Sequence, residues 1–160
     1  MSTTPIPITL VRWPNRDAAR KLENFVFGDR LVGRRPPRGI NPEFVSYWIR
    51  ENWKPDCAPG AAMHLLDVLR FYERRDVLDL VGRALTRNET DDRAFRRSCY
   101  AVQIIAEIGT FEQASFAARY FVEFLLPLPF AMDFFSLVLE TAESLAAALD
   151  IAAVGRRLQI

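Results

Sequence analysis

The sequence predicts an all-α fold, made of antiparallel helical hairpins arranged as a short α-solenoid-like array or a compact orthogonal bundle. Three observations predict it. Apolar residues recur at helical spacing along most of the 160-residue chain. Capping and stop residues punctuate the periodic runs. The turns between the runs over residues 60–150 are only about two to four residues long, which leaves successive helices no arrangement but antiparallel neighbours. The length suits one domain, 1–160, with an extended N-terminal segment 1–14 and an Arg-rich loop 28–41.

The first helix is expected over 15–27. Asn15 caps it, Ala18, Ala19, Leu22, Phe25 and Val26 share a side, and Gly28 ends it. The second, 42–53, has Asn41 as cap and Pro42 where a missing N–H costs nothing. Phe44, Val45, Trp48 and Ile49 form its face, and Pro55 stops it. Over 60–74, Leu65, Leu66, Val68, Leu69 and Tyr72 make one stripe. Over 76–87, Val77, Leu78, Val81, Ala84 and Leu85 point inward while Asp79, Arg83 and Thr86 point out.

The helix 91–108 follows the polar run "NETDD", which supplies a cap and first-turn acids. Its apolar side is Ala94, Phe95, Cys99, Val102, Ile105 and Ala106. "GTFEQA" at 109–114 is the clearest local signal: Gly109 ends one helix in a left-handed conformation, and Thr110 with Gln113 forms a capping box for the next. In 111–126 only Glu112, Arg119 and Glu123 form a polar stripe. Phe116, Tyr120, Phe121, Phe124, Leu125 and Leu126 surround it, so this helix is expected at the centre of the fold, covered on most sides. The last helix, 130–149, should bury Phe130, Phe134, Val138, Ala142 and Leu145 and expose Asp133, Ser136, Glu140 and Glu143.

"FLLPLPFAMDFF" at 124–135 is the least ordinary stretch. A membrane span needs about 20 mostly uncharged apolar residues. The uncharged run between Glu123 and Asp133 is nine residues and holds Pro127 and Pro129, so the stretch reads as a helix–helix turn. An exposed Leu-Pro-Phe tip dipping into a headgroup layer is the alternative.

Gly109, Phe111, Ala114 and Pro127 resemble the turn and closing proline of a tetratricopeptide repeat, over residues 92–127. Val102 and Phe121 depart from that pattern, standing where small residues are expected. The resemblance implies a scaffold that binds other proteins and brings no ligand residues with it.

Chemistry is sparse. His64 is the single histidine, and Cys57 and Cys99 are the only cysteines. Two isolated cysteines suggest neither a disulfide scaffold nor a zinc site. A Cys57–His64 pair has the residue types of a nucleophile and its base. However, Cys57 sits in the proline-flanked loop "KPDCAPG", so a half-buried thiol beside a boundary histidine is the expected arrangement. "LVGRRPPRG" lacks the order of a phosphate-binding P-loop, and no repeated Glu-x-x-His occurs. No cofactor and no enzymatic activity are expected. The N-terminus has no basic leader or cleavable apolar core, which makes a cytoplasmic location the expectation.

The formal net charge of +1 predicts no partner by itself. Its distribution is uneven: residues 1–60 carry ten bases and six acids, a net +4, and residues 98–160 three bases and seven acids, a net −4. Three surfaces are therefore candidates for partner binding. They are the loop Arg30, Arg34, Arg35 and Arg38; the helix face Arg93, Arg96, Arg97 and Tyr100; and the acidic stripe Asp133, Glu140 and Glu143. The expected function is a non-enzymatic protein–protein interaction module, docking a partner protein or its own copies through these charged faces. The second expectation is a nucleic-acid or phosphate binder using the Arg loop and the Arg93–Tyr100 face. The neutral net charge and the presence of only two lysines weigh against it.

Overall fold

The computed structural model describes residues 15–28, 35–86 and 91–150, apart from the side chains of Thr86 and Phe130. The expected extended N-terminal segment 1–14 lies outside that set. Every regular element among the described residues is helical, so the fold is all-α. In chain order the α-helices are α1 Asn15–Phe27, α2 Pro42–Asn52, α3 Pro59–Tyr72, α4 Leu78–Gly82, α5 Asp92–Ile108, α6 Phe111–Tyr120, α7 Phe130–Asp133 and α8 Phe135–Leu149.

The centre of the structure is α5, not the expected 111–126. It packs against α3 on one side and α8 on another, with α4 and α6 completing the ring. Its expected apolar side is buried, and so are Ser98, Ala101, Gln103, Ile104 and Ile108. Small or neutral polar residues allowed this second face to be covered, because their hydrogen-bonding groups find partners inside. Asp91 caps the helix through its carboxylate, which accepts from Ala94 N–H at 2.8 Å.

The α5–α6 turn is as short as expected. Thr110 Oγ1 accepts from Gln113 N–H at 3.1 Å, and Gln113 Oε1 accepts from Thr110 N–H at 2.8 Å, a complete capping box. Gly109 is not left-handed: its φ of −82° and ψ of 176° are extended. Glycine is required there for space, since a Cβ would sit 2.4 Å from the Ile105 carbonyl oxygen and 3.0 Å from Gln113 Oε1.

Three expected helices are interrupted. The 76–87 run resolves into 3-10 turns at Arg75–Val77 and Arg83–Thr86 around the short α4. Beyond Tyr120 the chain widens into one π turn, Phe121–Leu125, closed by Leu126 N–H to Phe121 O at 2.9 Å. One extra residue in a turn rotates the side chains after it by about 100°. Within 122–126 only Leu125 stays buried, while Val122, Phe124 and Leu126 are exposed. The expected helix 130–149 breaks at Phe134, with φ −122° and ψ 49°, into α7 and α8.

One contiguous apolar cluster runs from Leu22 in α1 to Leu145 in α8. The described half of the Arg-rich loop is attached to it. The Tyr72 hydroxyl donates to Pro37 O and accepts from Ile40 N–H at 3.3 Å, and Ile40 is buried.

Candidate functional site

The expected cationic helix face does not form. Arg93 is exposed, but Arg96, Arg97 and Tyr100 turn toward neighbouring elements. Arg97 is only 9% exposed and donates from Nη1 to Cys57 O at 2.9 Å, with its Nε buried and unpartnered. Arg96 lays its guanidinium carbon 5.1 Å from the Phe134 ring centroid and sits 3.7 Å from Asp92 Oδ2. Burial, then the Glu140 charge, raises the Tyr100 phenol above its ordinary range. The physical reason is the central place of α5: long arginine stems cover apolar surface beside the 53–58 loop and the Phe134 break.

Arg30 and Arg34 lie outside the described residues. Arg35 and Arg38 are exposed and make no ion pair with any described residue. Asp133, Glu140 and Glu143 are all exposed, but the break at Phe134 puts Asp133 on α7 and the other two on α8.

Cys57 and His64 line one cleft of about 500 Å³, between the end of α1 and the start of α3. Glu23, Phe27, Lys54 and Asp56 also line it. His64 Nδ1 lies 3.4 Å from Val26 O, and its ring tilts against Phe25 with centroids 5.2 Å apart. Burial pushes the Cys57 thiol up to about 12, with nearby Asp56 adding to the rise and Arg97 opposing it. The thiol is protonated at neutral pH, the opposite of an activated nucleophile. Among the described residues no three His, Cys, Asp or Glu side chains group so as to hold a metal ion.

The surface that sequence reasoning missed is apolar. Eight of the eleven large apolar side chains exposed among the described residues lie between Phe111 and Leu139: Phe111, Phe116, Val122, Phe124, Leu126, Met132, Phe135 and Leu139. Met132 is 80% exposed and Phe135 63%. This overturns the expectation that 111–126 is covered on most sides. The signal was present in the narrow polar stripe of 111–126: it leaves more apolar positions than one packed side of a helix can bury. Phe135 and Leu139 stand one turn apart on α8, and Val122 and Leu126 stand four residues apart across the π turn.

No described helix is long and apolar enough to cross a membrane. No protein-family model, no curated protein and no solved structure matches this chain.

Proposed function

We propose that this chain is a non-enzymatic helical interaction module that docks another protein through the exposed face of its C-terminal hairpin, residues 111–143. The observation that carries this reading is the concentration of exposed aromatic and aliphatic side chains on that hairpin. Large exposed apolar patches rimmed by polar groups mark interaction surfaces more often than they mark idle surface. Aromatic side chains are also the residues that most often anchor an interface. The tetratricopeptide-like resemblance of 92–127 would agree with this role. The raised pKa of Cys57 argues only against a thiol nucleophile at that position.

Site-specific photo-crosslinking in the native cell tests it. A benzophenone amino acid at Leu139 should yield a discrete protein adduct, and the same group at the exposed Glu43 should not. Equal or absent labelling at both positions sinks the reading.

Nucleic-acid or phosphate binding is the second reading. It keeps Arg35, Arg38 and Arg93 as exposed cations, but the inward turn of Arg96 and Arg97 removes most of its helix face. Binding to random duplex DNA that falls steeply between 50 and 200 mM salt is its signature.

A further inference from the structure

All eight ion pairs among the described residues lie at or before Glu107. Beyond it the charge pattern changes. Residues 109–150 contain six acids and one base, Arg119, a net −5. None of Glu112, Glu123, Asp133, Glu140 and Glu143 has a cationic nitrogen within 4.0 Å among the described residues, and all five are exposed. These unpaired carboxylates alternate along the chain with the exposed apolar residues: Glu123 lies between Val122 and Phe124, Asp133 beside Met132, and Glu140 beside Leu139.

Resting on the interaction-module reading, we propose that the occupant of this face is a cationic amphipathic helix of a partner protein. Its apolar side would lie along the Phe135–Leu139 ridge of α8, and its Lys or Arg flanks would meet Asp133, Glu140 and Glu143. Helix ridges of the i, i+4 type accept the matching ridges of another helix. Amphipathic helices dock by their i, i+3, i+4 and i+7 anchors on an apolar surface. The charge pattern decides among the occupants an apolar face can take. A second copy in a two-fold pairing would set this acidic surface against itself, because such interfaces use the same patch twice. An anionic lipid surface would meet these exposed carboxylates, and like-charge juxtaposition rejects a partner as firmly as attraction recruits one. A cationic helix satisfies both the apolar and the acidic components.

The test uses the full chain and a fluorescent 18-residue Lys/Leu amphipathic helix as probe, with a Glu/Leu peptide of the same apolar face as control. Anisotropy should show saturable binding of the Lys/Leu peptide and at least tenfold weaker binding of the Glu/Leu peptide. Glu140→Lys/Glu143→Lys and Phe135→Ser/Leu139→Ser should each weaken the Lys/Leu peptide at least tenfold while helix content stays at the wild-type value. Met132→Lys, at the most exposed apolar site among the described residues, repeats the measurement if the double serine variant unfolds. Equal binding of the two peptides overturns the proposal, as does binding that ignores either kind of substitution. Two further outcomes also overturn it: binding to phosphatidylglycerol vesicles that Phe135→Ser/Leu139→Ser abolishes, and self-association abolished by the same variant. The Leu139 crosslink separates the two levels of the argument. An adduct on a partner segment that is not cationic overturns this inference and leaves the interaction-module reading standing. The absence of any adduct overturns that reading itself.

Discussion

Gln103 Nε2 donates to Thr141 Oγ1 at 3.1 Å, and the Thr141 hydroxyl donates in turn to Leu137 O at 2.8 Å, all in the buried contact between α5 and α8. This short chain of hydrogen bonds ties α5 to α8 inside their buried contact. Thr141→Val keeps the shape and strands the Gln103 amide. Stranding a buried donor costs about 1–3 kcal/mol. Replacing both partners by apolar groups, as Gln103→Leu/Thr141→Val, should recover most of that loss. Urea denaturation of the two single variants and the double variant measures it. Additive losses would show that the pair is not coupled.

Gly109→Ala is expected to destabilise by about 1–3 kcal/mol, the usual range for atoms forced into a filled site. The backbone angles permit alanine, so a purely conformational account predicts almost no change. The close Ile105 oxygen and the capping-box Gln113 predict the loss. Gly109→Ala/Gln113→Ala should not restore wild-type stability, because the Ile105 carbonyl belongs to the backbone.

Stability should depend on alkaline pH through Cys57. Its pKa is raised on folding, from an ordinary value of 9.0 to about 12. Between those values the unfolded chain has released the thiol proton and the folded chain has not, so stability falls as pH rises. The contribution is fully present below about 9 and is lost progressively toward 12. Cys57→Ala should therefore flatten the decline of Tm between pH 8.5 and 10.5, a window set by this raised pKa. Iodoacetamide should label Cys57 slowly at pH 7, and rapid labelling at that pH would contradict the raised pKa.

The helix α3 ends in a left-handed residue that is not glycine: Glu73 has φ 50° and ψ 46°. Such a conformation costs an ordinary L-residue about 1–2 kcal/mol. Glycine adopts it freely and gives part of the gain back as unfolded-state entropy. Glu73→Gly is thus expected to stabilise by up to about 1 kcal/mol, read from the midpoint of thermal unfolding. A lowered midpoint would mean that the Glu73 side chain makes a contribution its geometry does not reveal.

The helices were legible in the sequence because their signals are local. Asn41, Asp91, Thr110 and Gln113 act within a few residues of themselves, and each caps where its spacing indicates. Which helix lies at the centre was not legible, because that depends on what packs from outside. Arg97 and Gln103 look like solvent residues on a wheel, yet both are buried by elements distant in the chain. The break at Phe134 and the π turn at Phe121 have no proline or glycine within them to announce them. The acidic half of the candidate surface was readable as a run without bases. Of its apolar half, Phe116, Phe124 and Leu126 were assigned to the core, because periodicity counts apolar residues and does not show how many the neighbours can cover.

Two neighbouring phenylalanines separate core from surface within the widened turn. Phe121 is 3% exposed inside the main cluster, and Phe124 is 60% exposed with its ring 5.3 Å from that of Tyr120. Deleting a buried aromatic costs about 3–5 kcal/mol, through lost transfer energy and the cavity left behind. Phe121→Ala should therefore consume a large share of the roughly 5–15 kcal/mol that holds a domain folded. Phe124→Ala removes a ring that is already mostly in water, and its expected cost is below about 1 kcal/mol, the scale of one partial aromatic contact. Binding should show the reverse order if this face docks a partner. Phe124→Ala then leaves the fold intact and weakens the complex, whereas Phe121→Ala acts on binding only through the loss of folded protein. Equilibrium unfolding and peptide anisotropy on the same two samples give both orders. Equal stability losses would show that the π turn does not rotate Phe124 out of the core, and the hairpin face would lose its most aromatic element.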